Sequence, residues 1–382
     1  MSSGLQQQFS SLSVRSERDS AVDLIKGVAC LLMVVAHVHF TQAPWLQFVT
    51  MAAVLFFATT GMNLAGIVEK RPGHEARLAA NALFLIFAGF ADNYVQGTLG
   101  MCDVFQSAGM GILAMLLLRR LWPSCWTWLF PIPFLIHFAN QQFHWKTEAV
   151  GLSSFFLTPG LFPLLPWLSF YLLGAHLKKY SNPGSGWLIG VAAVAVLAIF
   201  SVFRPFQFNK FWMSPEYFLI GCAAAACSVA VLRQWLPGAG GNTLAEIRLW
   251  GANSLVYYIT NNFVIRVLEM VMSHGVALFL LSIIITTLLL RPALATQAWT
   301  GRQRPETVLL AGAILVTATL AANHHLWPGS FRLGTLASFG LTFSFVFCQP
   351  AWKNLSRAMT RPGAQSGSAR GQREKLARVP GF

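Results

Sequence analysis

Long apolar runs separated by short polar stretches set the pattern of this chain. They fall near 22–40, 45–68, 76–95, 102–118, 121–138, 155–177, 187–203, 216–234, 249–272, 275–290, 307–322 and 331–349. A hydrocarbon core about 30 Å thick is crossed by roughly 20 residues of helix, so each run has about the length of one crossing. The pattern predicts an all-α, polytopic membrane helix bundle of about twelve transmembrane helices. Pro123, Pro131, Pro133, Pro159, Pro163 and Pro166 interrupt the fifth and sixth runs, which predicts kinks or half-helices there.

Before the first run lies a polar leader, 1–21, carrying Arg15 and Arg18. The run Val22 to Phe40 lacks a clear small-residue cleavage site, so it predicts a retained helix and not a removed signal peptide. Residues 22–349 then form one transmembrane domain, without a strong internal repeat or a soluble-domain linker. The segment 350–382, rich in Arg, Gly and Ser, cannot bury a core and predicts a disordered, basic cytoplasmic tail that touches anionic lipid.

Composition agrees with lipid as the solvent. Hydrophobic residues make up 55% of the chain and charged ones only 10%, against roughly 25% charged in a soluble domain. The net charge of +14 would suggest nucleic acid in a soluble protein, but its distribution follows the positive-inside rule. With the N-terminus inside, 22 of the 27 basic residues fall on the cytoplasmic side. Lys146, Arg204, Lys210, Arg266 and Arg332 remain at or near the other face. Both termini are therefore expected in the cytoplasm, with membrane lipid and not nucleic acid as the charged partner. The 6 cysteines lack CxxC spacing, so neither a metal site nor a disulfide framework follows.

Ionisable groups inside spans are costly and mark candidate chemistry. In the first span Lys26 and His37 stand eleven residues apart, close to three turns, so they point from one helix face about 16 Å apart. A cation at the inner end and an imidazole deeper in the membrane suit an elongated ligand with phosphates at one end. Coenzyme A has that shape and charge. A neutral histidine can act as general base on an acceptor hydroxyl or amine, or take the acyl group itself. A snorkelling lysine and an interfacial histidine give the same pattern without chemistry.

The segment Asp23 to His37 resembles the first helix of the transmembrane acyltransferase superfamily, which includes acyltransferase-3 enzymes and heparan-α-glucosaminide N-acetyltransferase-like proteins. In acyltransferase-3 members a basic residue, ten intervening residues and a histidine form the signature. Lys26 stands where arginine is usual, and His37 matches the functional histidine. Four more stretches are similar to the family's and in its order: Leu55 to Gly66, Asp103 to Leu118, Phe162 to Lys179, and Gly251 to Asn262. The resemblance implies transfer of an acyl group from acetyl-CoA or another acyl-CoA, with no metal, to an acceptor on or across the membrane. Asn261 stands where relatives often place a histidine, and an amide cannot exchange protons near neutral pH.

Other polar residues extend the candidate site. Seven of the 9 histidines, His37, His39, His137, His144, His274, His324 and His325, fall on the expected outer side. Asp92 and Asp103 flank the outer connection between the third and fourth spans, where either carboxylate can orient His37. Lys26, Arg71 and Arg77 are the candidate clamp for the donor's phosphates. Asn262, Arg266 and Glu269 share one helix face, so Asn253, Tyr258, Asn261 and Arg266 form a candidate acceptor site, and an Arg266 to Glu269 ion pair is the simpler account. No GxGxxG, P-loop, HExxH or GxSxG motif points to another enzyme class.

The expected activity is that of an integral membrane acyltransferase in a bacterial cytoplasmic membrane, acting on a glycan or lipid-linked sugar. Two alternatives stay open. Twelve spans with both ends inside also fit a secondary transporter, and Lys26 and Asn261 fit an inactive relative acting as an assembly subunit.

Overall fold

A computed structural model describes residues 19–38, 48–71, 73–96, 98–143, 155–157, 161–235, 244–326 and 331–359. Among these residues every regular element is helical. In chain order they are α1 (Ser20–Val38), α2 (Met51–Lys70), α3 (Glu75–Gln96), α4 (Val104–Leu121), α5 (Ile132–Gln142), α6 (Leu164–Lys179), α7 (Pro183–Phe203), α8 (Pro215–Trp235), α9 (Ala245–Ala252), α10 (Ser254–Glu269), α11 (Val276–Thr300), α12 (Pro305–Leu326) and α13 (Phe331–Met359). Seven of them, α1, α2, α4, α7, α8, α11 and α12, are long and apolar enough to cross a membrane. The outer surfaces of α7, α11 and α12 carry large apolar side chains such as Leu188, Phe203, Leu288 and Leu310 in the open, as lipid contact requires. This is a multi-pass membrane protein.

Local chemistry sets the helix ends. Asp103 caps α4 by accepting from the Val104 N–H at 2.6 Å, while Gln106 returns to the Asp103 N–H at 3.1 Å, closing a capping box. Asn182 caps α7, with Pro183 following at the first helical position.

Three expected spans differ. The run 121–138 is not one helix: α4 stops at Leu121, a 3-10 turn occupies Trp126–Leu129 and α5 begins only at Ile132. Pro123, Pro131 and Pro133 remove the N–H groups that a continuous helix needs. Of the run 155–177, the helical part starts at Leu164. The run 249–272 breaks at Asn253, whose φ of −122° and ψ of 33° leave the helix while its amide donates to the Leu249 carbonyl at 2.9 Å. At the other end, α13 passes through Pro350 to Met359, so the basic segment begins as helix; the rest of the tail, the leader with Arg15 and Arg18, and His39, His144 and Lys146 lie outside the described residues.

The residues divide into two compact units. The first draws on Met1–Gly66, Thr127–Trp145 and Leu165–Thr287, the second on Ile67–Trp126, Lys146–Leu164 and Leu288–Phe382. In the first unit helices meet through small residues that let backbones touch. A Cβ on Gly61 would collide with the Tyr171 carbonyl and one on Gly174 with that of Ala58, which locks α2 to α6. In the same way Gly27 faces the Ile247 carbonyl and Gly251 that of Asp23, which locks α1 to α9. α7 buries only Gly186, Gly190 and Ala193, and these two glycines rest on Ala226, Cys227 and Ala230 of α8.

Polar ties define the two ends of this unit. At one end Lys178 of α6 bonds Asp19 at 3.0 Å, and Arg233 of α8 lies 3.7 Å from the same carboxylate. At the other, Tyr217 donates to the Thr50 carbonyl at 3.0 Å, and His137 and Gln141 reach the Trp212 carbonyl at 3.0 and 2.6 Å. α1 spans this distance, about 28 Å for its 19 residues.

The second unit packs α3 against α4 and α13. Arg119 bonds Glu75 at 2.8 Å, Asn93 closes the α3–α4 turn on the Met101 carbonyl at 2.6 Å, and Trp352 stacks on Phe84 while donating to the Ala80 carbonyl at 3.1 Å.

Candidate functional site

α1 carries the candidate site. It runs unbroken from Ser20 to Val38, so Lys26 and His37 keep the three-turn spacing that puts them on one face, and both side chains are half-buried. His37 Nδ1 lies 2.8 Å from the Met33 carbonyl. A carbonyl only accepts, so Nδ1 donates this hydrogen bond, and the tautomer it selects for a neutral ring places the lone pair on Nε2.

Lys26 sits beside Gly27, at the point where α1 crosses α9. On α9, Arg248 follows Ile247, whose carbonyl faces Gly27. The Arg248 Nε is buried with no hydrogen-bond partner among the described residues. The buried Asp23 lies three residues before Lys26 on α1. Further toward the end of the unit, Asp19 is shared by Lys178 and Arg233. Burial pushes its carboxyl up, but the hydrogen bond and charge of Lys178 and the charge of Arg233 outweigh this and hold it below its ordinary value of 3.8. Asp19 thus bridges Lys178 and Arg233 at this end and offsets part of their charge.

Between the heights of Lys26 and His37, α1 presents Cys30 to the carbonyl of Trp250, 4.0 Å away. Trp250 and Tyr257 pack ring to ring at 5.4 Å. The break at Asn253 sets the phase of α10 so that Tyr257 is buried and Tyr258 only half so. Asn261 is also buried and donates to the Thr286 hydroxyl at 3.0 Å.

The remaining candidates divide between the units. Asp92, Asp103, Arg71 and Arg77 belong to the second unit, and His37 and Lys26 to the first. Asp103 is the helix cap described above, Asp92 is buried, Arg71 is exposed and Arg77 half-buried. Within the first unit Asn253 is spent on the helix break. Arg266 pairs with Glu269 at 3.2 Å and is half exposed, which is the simpler of the two expected accounts. His274 approaches Glu269 at 3.9 Å, whereas the side chains of His324 and His325 lie outside the described ones. No group of three His, Cys, Asp or Glu among the described residues is arranged to hold a metal ion.

Sequence reasoning missed Arg248, Asp23, Trp250 and Tyr257. Arg248 reads as one more positive-inside charge, and the other three fall in apolar runs whose phase is set by the Gly27–Gly251 contact and the break at Asn253. Comparison with protein-family models, curated proteins and solved structures finds no match.

Proposed function

We propose that this chain is a membrane acyltransferase that moves an acetyl or other short acyl group from cytoplasmic acyl-CoA to a hydroxyl or amine of a glycan or lipid-linked sugar. Its chief support is α1 itself, one unbroken helix with a cation and an oriented imidazole on the same face. Lys26 and Arg248 hold the donor's phosphates, where a guanidinium adds the two-pronged contact that an ammonium lacks. His37 Nε2 takes the proton from the acceptor as its oxygen or nitrogen attacks the thioester carbon. The carbon–sulfur bond then breaks, and the coenzyme A thiolate leaves and takes up that proton. The Met33 carbonyl steadies the imidazolium in between, the part a carboxylate plays in a catalytic triad.

In this reading the end marked by Asp19, Lys178 and Arg233 faces the cytoplasm of a bacterial cell, and His37 lies toward the far side. The seven long apolar helices are joined as crossings by α3, by α5 with its preceding turn, by α6, by α9 with α10, and by α13. That gives twelve, with both termini inside.

Purified protein in lipid nanodiscs, given radiolabelled acetyl-CoA and a panel of glycans and lipid-linked sugars, tests this. Label on an acceptor with wild type and none with His37→Ala is the expected result. Equal transfer by both removes His37 from the mechanism. Sugar flux across liposomes with no acyl donor favours a transporter instead.

A further inference from the structure

α10 and the end of α9 bury a row of polar atoms that no described residue satisfies. Among the described residues Trp250 Nε1, Tyr257 Oη, Thr260 Oγ1 and Asn261 Oδ1 have no hydrogen-bond partner. Their residues are 8%, 0%, 2% and 0% exposed. Membrane helices ordinarily meet such groups internally, as Thr59 and Thr60 of α2 do by returning their hydroxyls to carbonyls one turn back at 2.6 and 2.8 Å. Thr260 makes no such return. The row is also aligned: Tyr257 and Asn261 are four apart on α10, Trp250 packs on Tyr257, and Cys30 of α1 meets the Trp250 backbone carbonyl at 4.0 Å. Cys30 stands one turn beyond Lys26 and two turns short of His37 on α1.

We infer that Trp250, Tyr257, Thr260 and Asn261 form a hydrogen-bonding track for the amide-bearing pantetheine arm of the donor, running beside α1 from the phosphate end to His37. This rests on the acyl-CoA reading above. The arm is a peptide-like chain of about four residue-lengths, roughly 14 Å when extended, and Lys26 and His37 are about 16 Å apart along the axis. Its two amides and one hydroxyl offer both donors and acceptors. An indole N–H suits an amide carbonyl, an asparagine oxygen suits an amide N–H, and the Tyr257 and Thr260 hydroxyls serve either. A fatty chain would leave every one of these atoms unmet, so the track selects an amide-bearing donor over a lipid acyl chain. Admitting the arm requires α1 and α10 to part, and the joint at Asn253 is where the backbone absorbs that movement.

The test compares two probes, coenzyme A and its nucleotide part alone, 3′-phosphoadenosine 5′-diphosphate, on wild type, Tyr257→Phe and Thr260→Val. Each variant removes one hydroxyl and nearly keeps the shape of the side chain. Each is expected to weaken coenzyme A about fivefold, to leave nucleotide binding unchanged and to keep or raise the melting temperature. Undiminished coenzyme A affinity, or equal loss of both probes, overturns the track while the acyl-CoA reading stands. If wild type binds neither probe, both fall together.

Discussion

The Nδ1 atom of His37 is fixed by the Met33 carbonyl at 2.8 Å, one turn back on the same helix. A local backbone bond of this kind orients the ring. On the function proposed above, it leaves Nε2 as the base.

His37→Ala and His37→Gln are therefore expected to lower acyl transfer by about 10²- to 10⁴-fold, the range of general-base catalysis, with acetyl-CoA binding kept. Single-turnover label transfer and equilibrium binding, measured on the same preparations, separate the two effects.

At the α1–α9 crossing, Lys26→Gln and Arg248→Gln are each expected to weaken acetyl-CoA binding about tenfold, the worth of one charge-assisted contact. Lys26→Arg keeps it. Added salt lowers wild-type affinity more steeply than that of either glutamine variant, because a screened charge has already been removed from them.

Gly61→Leu and Gly174→Leu each push a side chain into a backbone carbonyl, and a cost of about 1–3 kcal/mol or more is expected. Thermal unfolding in detergent reads it. Gly340→Ala is the control: its position is open to within 4 Å, and alanine is the better helix former by up to about 1 kcal/mol, so its melting point stays or rises.

The Asp19 carboxyl, lowered from 3.8 by Lys178 and Arg233 against the pull of burial, binds its proton less readily in the folded chain than in the unfolded one. Its stabilising contribution is complete above the ordinary value of 3.8 and is lost as pH falls through the lower folded value. Wild type is expected to melt above Asp19→Asn near neutrality, and the gap to close as the buffer is taken below that ordinary value. A gap that persists unchanged in acid contradicts the ion-pair account.

Much of the bundle was legible in the sequence because lipid imposes one rule, apolar residues over a crossing length. α1, α2, α4, α7, α8, α11 and α12 follow it closely. The departures sit where local chemistry overrides hydropathy: Pro123, Pro131 and Pro133 split one run, and the Asn253 amide, by taking the Leu249 carbonyl, splits another. The site was legible along one helix and not between helices. Spacing alone aligned Lys26 with His37, since both are on α1. Arg248 and Tyr257 lie on α9 and α10, and α9 meets α1 through the contact of Gly27 with Ile247 and of Gly251 with Asp23; no one-dimensional pattern encodes that crossing. Arg266 shows the converse: a polar residue picked from its spacing that Glu269, three residues on, already occupies.

α7 holds to its unit by three small residues, Gly186, Gly190 and Ala193. Its grip is one of shape, backbone laid on backbone, and owes little to which side chains it bears elsewhere. Leu188, Val191, Val194, Ile199 and Val202 face outward, where one greasy residue serves as well as another. Natural variation in α7 is therefore free over most of its circumference, with a single narrow seam held nearly still.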